Sequence, residues 1–448
     1  MKEVVVDYSN KLIMAPMVRI GTLPTRLLAL EYGADLVYSE ELIDYRMLRC
    51  KRIENAILDT VDFVDEDQNV VFRTCKKERE RIILQIGTCD PERCLRVAKM
   101  VEKDVAGIDI NMGCPKEFSL KGGMGAALLT QPEKINQILT TLVKELSCPI
   151  TCKIRVLDTV EDTVELAKLI ESTGVSALAV HGRTKEERPQ HRNRNHFIKA
   201  VVRSVDVPVI ANGGSGEITC YEDVERFRTE TGASSVMLAR QVEKNCSIFR
   251  KDGLLPLDVV IRSYLKFAID YNNNTTNTKY CIQQMLGSLQ DTPCGRALLN
   301  AQLMKDICDL WNMGDYYVKK QDDFKTISMN LKRLHADCNF GLHLKRRKLE
   351  NNEIWETDAK FIKSVFGKAD LPKTVLCNWT RKNNIKQPNY QTFQIEKSFK
   401  SIVTVNNKMY SSSCLEKNKR MAEQGAALVA LIGLEIINNE QIKLLLNS

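Results

Sequence analysis

Over its first 240 residues the chain repeats one pattern: a short run of apolar and β-branched residues, a turn, then a stretch with apolar residues three and four apart. Eight such runs occur: KLIMAPM (11–17), DLVYSE (35–40), IILQIG (82–87), GIDINMG (107–113), ITCKIRV (150–156), ALAVHGR (177–183), VPVIANGG (207–214) and SVMLAR (235–240). Helical stretches such as VELAKLIESTG (164–174) lie between most of them. Strands alternating with helices imply parallel pairing, and eight repeats predict an α/β fold closed into a (β/α)8 barrel over residues 1–253. Two gaps are long: residues 44–80 are an insertion after the second strand, and 115–149 hold an extended loop before their helix.

The pattern then changes. Residues 254–338 keep helical spacing without strand signals, which predicts a small helical domain broken by NNNTTNT at 272–278. Residues 339–365, with KRRK at 345–348, have the composition of a linker. Residues 366–437 order themselves as helix, three strands, helix: 372–383, 390–398, 401–405, 408–415 and about 417–434.

Composition sharpens this picture at two points. No apolar run reaches the roughly 20 residues of a membrane span, and MKEVVVDYSN has neither signal-peptide nor transit-peptide character. The 15 cysteines are an odd number without a CxxC pair, and with five histidines they argue against a metal site. The expectation is a chain with reduced thiols, cytoplasmic, with KRRK compatible with nuclear entry, and monomeric. Charge is unevenly placed. Residues 361–448 hold 13 Lys and Arg against 6 Asp and Glu, residues 341–360 hold 5 against 4, and the other 340 residues are neutral. The basic surplus therefore belongs to a folded C-terminal module, which suits an anionic partner.

In a barrel of parallel strands the active site forms at the strands' C-terminal ends. The polar groups there are Pro16 with Met17, Glu40 with Glu41, Gln85, Asn111 with Cys114, Lys153 with Arg155, His181 with Arg183, Asn212 to Gly214, and Ala239 with Arg240. Each alone has an ordinary explanation: Lys153 and Arg155 can pair with internal acids, Asn212 can turn the chain, and His181 can be a satisfied core residue. Polar groups at all eight ends do not share that explanation. Amides, a lysine and a histidine suit a planar heterocycle with carbonyl and imide edges. Glycines after the seventh strand and Ala-Arg after the eighth suit a phosphate. Flavin mononucleotide (FMN) satisfies both. Cys114, between Gly113 and Pro115, sits at a strand's mouth where neither neighbour extends the strand. A small buried thiol is the ordinary alternative.

These residues carry a resemblance. APM (15–17), NMGCP (111–115), KGGMGAALL (121–129), CKIR (152–155), HGRT (181–184) and NGG (212–214) resemble, in order, the motifs of the tRNA-dihydrouridine synthases, over roughly residues 10–335. The C-terminal module is similar to a double-stranded-RNA-binding domain (dsRBD), and the combination resembles the family's eukaryotic type-2 members, acting at D-loop position 20. The resemblance implies FMN contacts from Pro16, Met17, Val18, Gln85, Lys153, His181, Asn212, Gly213, Gly214, Ala239 and Arg240. It implies that Asn111 holds the target uracil, that Cys114 gives the proton at C5, and that Arg183 also meets the substrate. Lys373, Lys417, Lys419 and Arg420 would meet tRNA phosphates, with Arg381 and Lys382 in support. No strand-linked GxGxxG is present, so NADPH is expected to bind transiently over the flavin. Two other functions fit parts of the chain: a flavin dehydrogenase acting on free dihydropyrimidines or dihydroorotate, and an RNA-binding regulator with an inactive barrel. The basic module argues against the first, and Cys114, Lys153 and His181 against the second.

Overall fold

The computed structural model describes residues 6–335, 345–349, 352–357, 359, 361, 366, 371–396 and 398–437. They fall into two compact units, Met1–Leu331 and Lys332–Ser448.

In the first unit the strands are β1 Leu12–Met14, β2 Leu36–Ile43, β3 Lys51–Asn55, β4 Thr60–Val64, β5 Val70–Cys75, β6 Ile82–Gly87, β7 Gly107–Met112, β8 Ile150–Arg155, β9 Ala177–His181, β10 Val209–Asn212 and β11 Ser235–Leu238. Eight of them close a barrel in the order β1-β11-β10-β9-β8-β7-β6-β2, and its neighbours pair in parallel. All eight runs read from the sequence are barrel strands. Parallel strands are covered on both faces, and β6 and β7 are buried at every position. Tyr8, Tyr38, Ile83 and Met237 are among the side chains that fill the inside.

The insertion after β2 is a sheet of its own, β3-β4-β5, antiparallel throughout. Two ion pairs fix it. Arg73 clasps Asp62 at 2.6 Å within the sheet. Arg26, from the helix Leu23–Glu31, meets Glu78 through both guanidinium and carboxylate, at 2.6 and 2.8 Å, with both side chains buried. It also donates to the carbonyls of Gly21 and Arg73. Removing one partner of a buried pair strands the other. Arg26→Ala is therefore expected to lower the stability of this unit by about 3–5 kcal/mol, read as a fall in the denaturant midpoint.

The helices Leu257–Asp270, Thr275–Leu286, Pro293–Asn300, Met304–Leu310 and Gly314–His335 follow the barrel. Tyr264, Leu265, Ile282 and Ile307 are buried in one continuous apolar core with the barrel's outer helices. The helical segment is thus part of the barrel unit and not a domain apart. It also braces the loop after β1: Asn277 donates to the Arg19 carbonyl at 2.6 Å, and the Arg19 guanidinium lies 5.1 Å over the Tyr280 ring.

In the second unit the strands are β12 Lys345–Leu349, β13 Asn352–Thr357, β14 Asn389–Ile395, β15 Ser398–Val405 and β16 Lys408–Ser412, in the order β12-β13-β16-β15-β14. The helices Pro372–Lys382 and Lys419–Gly433 accompany them. The α-β-β-β-α order is as expected from the sequence, with two corrections. Residues 345–357 are not a linker: β12 and β13 form an antiparallel pair, and β13 joins β16 in parallel. Ser412 Oγ donates to the Ala359 carbonyl at 2.7 Å, and Lys400 meets Glu356 at 2.5 Å, so this stretch is bound into the domain. The remaining linker positions mostly lie outside the described residues. The second strand also starts before residue 401, because Ser398 to Lys400 already pair with β14.

Candidate functional site

The strand ends build the site from a chain of buried hydrogen bonds. Thr151 Oγ1 donates to Asp109 Oδ1 at 2.7 Å, and Gln85 Nε2 donates to Asp109 Oδ2 at 2.8 Å. Asn111 Nδ2 donates to Gln85 Oε1 at 2.9 Å, and Asn111 Oδ1 accepts the N–H groups of Gly113 and Cys114. One carboxylate, acceptor-only when ionised, thus fixes which way both amides point. Each amide keeps a single N–H for a ligand. Burial pushes the Asp109 carboxyl up to about 6. Asp109 and Thr151 were absent from the candidates read from the sequence; the signal was an acid two residues before Asn111 in a strand buried at every position.

Cys114 therefore follows a backbone held at both ends. Arg155 Nε donates to the Gly113 carbonyl at 2.7 Å, and the Ala126 N–H to the Cys114 carbonyl at 3.0 Å. Gly125 permits that closure. Its φ is +57°, and a Cβ there would stand 2.7 Å from the Cys114 carbonyl oxygen. Burial, then the Glu41 carboxylate, pushes the Cys114 thiol up to about 11, so it is protonated at neutral pH.

Lys153 lies beside Asn111 in the β7–β8 register. Burial, with Arg155 nearby, brings its ammonium down to about 8. His181 ends β9. Burial and then Lys153, Arg155 and Arg183 hold its imidazole well below the usual range, hence neutral. Arg183 Nη1 donates to His181 Nε2 at 3.2 Å, which leaves the ring's proton on Nδ1.

A cavity of about 290 Å³ opens at the ends of β9, β10 and β11, lined by His181, Asn212, Gly213, Gly214, Ala239 and Arg240 among others. Arg155, Arg183 and Arg188 also line it, so its walls are cationic. Asn212 Nδ2 donates to the Met237 carbonyl at 2.8 Å, and its Oδ1 accepts nothing among the described residues. Gly213 has φ +116°, and a Cβ there would strike Asn193 Oδ1 at 2.1 Å. Pro16 and Met17 follow β1, Met17 partly buried, and Val18 is 59% exposed on the rim.

Arg183, expected at the substrate, is bonded within the fold. Its five N–H groups go to the carbonyls of His191, Gly213 and Pro189, to Ser215 Oγ and to His181 Nε2. It is 3% exposed and ties the loop after β9 to the glycine turn after β10. Arg240 is half-exposed and meets Glu243 at 3.4 Å.

A family model described as dihydrouridine synthase (Dus) matches residues 13–292. The chain belongs to the dihydrouridine synthase family. The tRNA-dihydrouridine(20) synthase, NAD(P)+, of Schizosaccharomyces pombe is 43% identical over 291 residues, which are 62% of this chain and 60% of that protein. The Saccharomyces cerevisiae protein of the same name is 38% identical over 300 residues, 63% of this chain and 78% of that one. The chain thus spans 60% of the length of the S. pombe relative.

A second family model, the double-stranded RNA binding motif, matches residues 372–434. A crystal structure of a tRNA-dihydrouridine(20) synthase dsRBD is 35% identical, with a TM-score of 0.18, over 18% of this chain and 88% of that one. In this Dus chain the last helix begins at Lys419, capped by Asn418, whose side chain accepts the Met421 N–H at 3.0 Å. Lys417, Lys419 and Arg420 are exposed. Cations in a first turn oppose the helix dipole, so Lys419 and Arg420 do not serve the helix itself. Arg381 and Lys382 close the other helix, where cations are favourable. Lys373 is committed within the domain, paired with Glu423 and 4.4 Å from the Tyr390 ring centroid.

Proposed function

We propose that this chain reduces a D-loop uridine of tRNA, at position 20, to 5,6-dihydrouridine, with FMN as resident cofactor and NADPH as electron donor. The observation that carries the reading is the protonated Cys114 thiol, held at the barrel mouth on the Asp109–Gln85–Asn111 relay beside a cationic cavity. The donor set fits a flavin. The single N–H of Gln85, the Lys153 ammonium and Asn212 Oδ1 suit a ring with carbonyl and imide edges, and Gly213, Gly214 and Arg240 suit its phosphate. A flavin bound there supplies hydride equivalents for carbon 6 of the uracil.

The chain's own part is to present the base and move a proton. The uridine leaves its stack to reach a site inside a barrel mouth. Asn111 would offer one N–H to it, and Cys114 Sγ would give its proton to carbon 5. With its thiol near 11, Cys114 holds that proton until the carbon acquires negative charge. The RNA-binding module supplies the affinity that a neutral barrel lacks. The proposal includes a monomeric chain in the cytoplasm with access to the nucleus.

Purified protein should be yellow and release FMN on denaturation. Incubated with an unmodified tRNA transcript and NADPH, it should place dihydrouridine at position 20, mapped by mass spectrometry of nuclease fragments. A colourless protein that FMN cannot reconstitute sinks the cofactor assignment, and an unmodified transcript sinks the activity.

Lys153 makes the binding of FMN depend on pH. It is cationic below about 8 and neutral above, so FMN affinity should be flat up to that pH and fall beyond it. Flavin-fluorescence titrations of Lys153→Met should give a weaker affinity without this step.

A further inference from the structure

The loop after β1 holds a shape that its own residues disfavour. The Met17 carbonyl accepts the N–H groups of Ile20 and Gly21 at 3.2 and 2.7 Å, which closes a turn over residues 17–20. Arg19, the third residue of that turn, has φ +68°. Turns with positive φ at this position favour Gly or Asn, and a longer L side chain persists there only where its surroundings over-determine it. Those surroundings are on both sides of Arg19. Its N–H donates to Glu40 Oε1, from β2, at 2.5 Å. Its carbonyl accepts Asn277 Nδ2 at 2.6 Å and the Cys281 thiol at 3.4 Å, and its guanidinium lies over the Tyr280 ring. Asn277, Tyr280 and Cys281 are three and four apart on the helix Thr275–Leu286, hence on one face. The Asn277 amide is itself fixed. Its Oδ1 accepts Asn273 Nδ2 at 3.0 Å and Thr22 Oγ1 at 3.2 Å, which leaves Nδ2 for Arg19. Gly21 lets the loop lie on β2, because a Cβ there would stand 3.0 Å from the Glu40 nitrogen.

From this geometry we propose that Glu40 and Asn277 are positioning residues of the flavin site. They hold the 17–20 turn, and with it Met17 and Val18, at the cofactor. The inference rests on the reading of Met17 and Val18 as FMN contacts. Neither Glu40 nor Asn277 needs to touch FMN: one acts on the Arg19 N–H and the other on its carbonyl. A helix outside the barrel thereby sets how tightly the barrel mouth binds its cofactor.

Asn277→Ala and Glu40→Ala each remove one anchor. In the full chain, each should raise the FMN dissociation constant about three- to tenfold, the equivalent of one hydrogen bond, in flavin-fluorescence titrations. In flavin-free protein, amide hydrogen exchange over residues 16–20 should quicken in both variants while that of β7 stays as in wild type. Glu40→Gln keeps an acceptor for the Arg19 N–H and should bind FMN within about twofold of wild type. Arg19→Gly supplies the decisive comparison. Glycine takes positive φ without a Cβ penalty, so this change should restore much of the affinity that Asn277→Ala loses. A residue that merely stabilised the fold would show no such rescue. If Glu40→Ala does not fold, Asn277→Ala with and without Arg19→Gly makes the same test.

FMN affinity unchanged in Asn277→Ala overturns the proposal, as does a loss that Arg19→Gly leaves undiminished. Wild-type protein that binds no FMN overturns the flavin reading instead. In that event, hydrogen exchange over residues 16–20 still shows whether the two anchors hold the turn.

Discussion

Cys114→Ala should leave FMN bound, and oxygen-coupled NADPH oxidation intact, yet lower dihydrouridine formation by about 10²–10⁴-fold, the usual contribution of a general acid. The expectation follows from where the side chain sits. Its backbone is held by Asn111, Arg155 and Ala126, so losing one sulfur atom should disturb neither the relay nor the cavity after β10. Cys114→Ser, a poor acid of similar size, should fall nearly as far. Mass-spectrometric counting of dihydrouridine per tRNA against flavin content measures both halves. Turnover unchanged in Cys114→Ala would show that water delivers the proton.

The second large effect belongs to the C-terminal unit. Replacing Lys417, Lys419 and Arg420 together by Ala should weaken tRNA binding and lower the log–log salt slope by about two to three units, since each phosphate contact contributes roughly 0.7–0.9. Removing residues 332–448, the whole of the second unit, should cost orders of magnitude in affinity. The flavin spectrum should stay as it is, because every proposed FMN contact precedes residue 241. Filter-binding titrations across salt concentrations decide the matter. A barrel that binds and reduces tRNA equally well without the second unit refutes this account of why the unit is attached, and would favour a small free pyrimidine as the substrate.

The barrel was legible because parallel strands are buried on both faces, so strands such as β6, IILQIG, stand out as short, mainly apolar runs. The sheet β3-β4-β5 was not. Lys51–Asn55 reads KRIEN and is mostly exposed, so it carries neither an apolar run nor clean alternation. The strand Lys345–Leu349 reads KRRKL and looks like a solvated linker or an address signal; its pairing is set by backbone partners that composition does not reveal. In the site, residues at strand ends were found because position alone marks them. Asp109 was missed because its partners, Gln85 and Thr151, come from neighbouring strands 24 and 42 residues away. Arg183 was found at its strand end, but its work within the fold was not legible, since the carbonyls that occupy it belong to loops whose course no local pattern fixes.

The pairing of β13 with β16 also changes what the RNA-binding unit shows to other molecules. Without the extra hairpin, β16 would end the sheet with a row of unpaired backbone groups, open to another chain's strand. With it, the outermost strand on that side is β12, whose sequence opens with four consecutive cations. The stretch that resembles a tether thus puts a cation-rich sequence at that edge of the sheet.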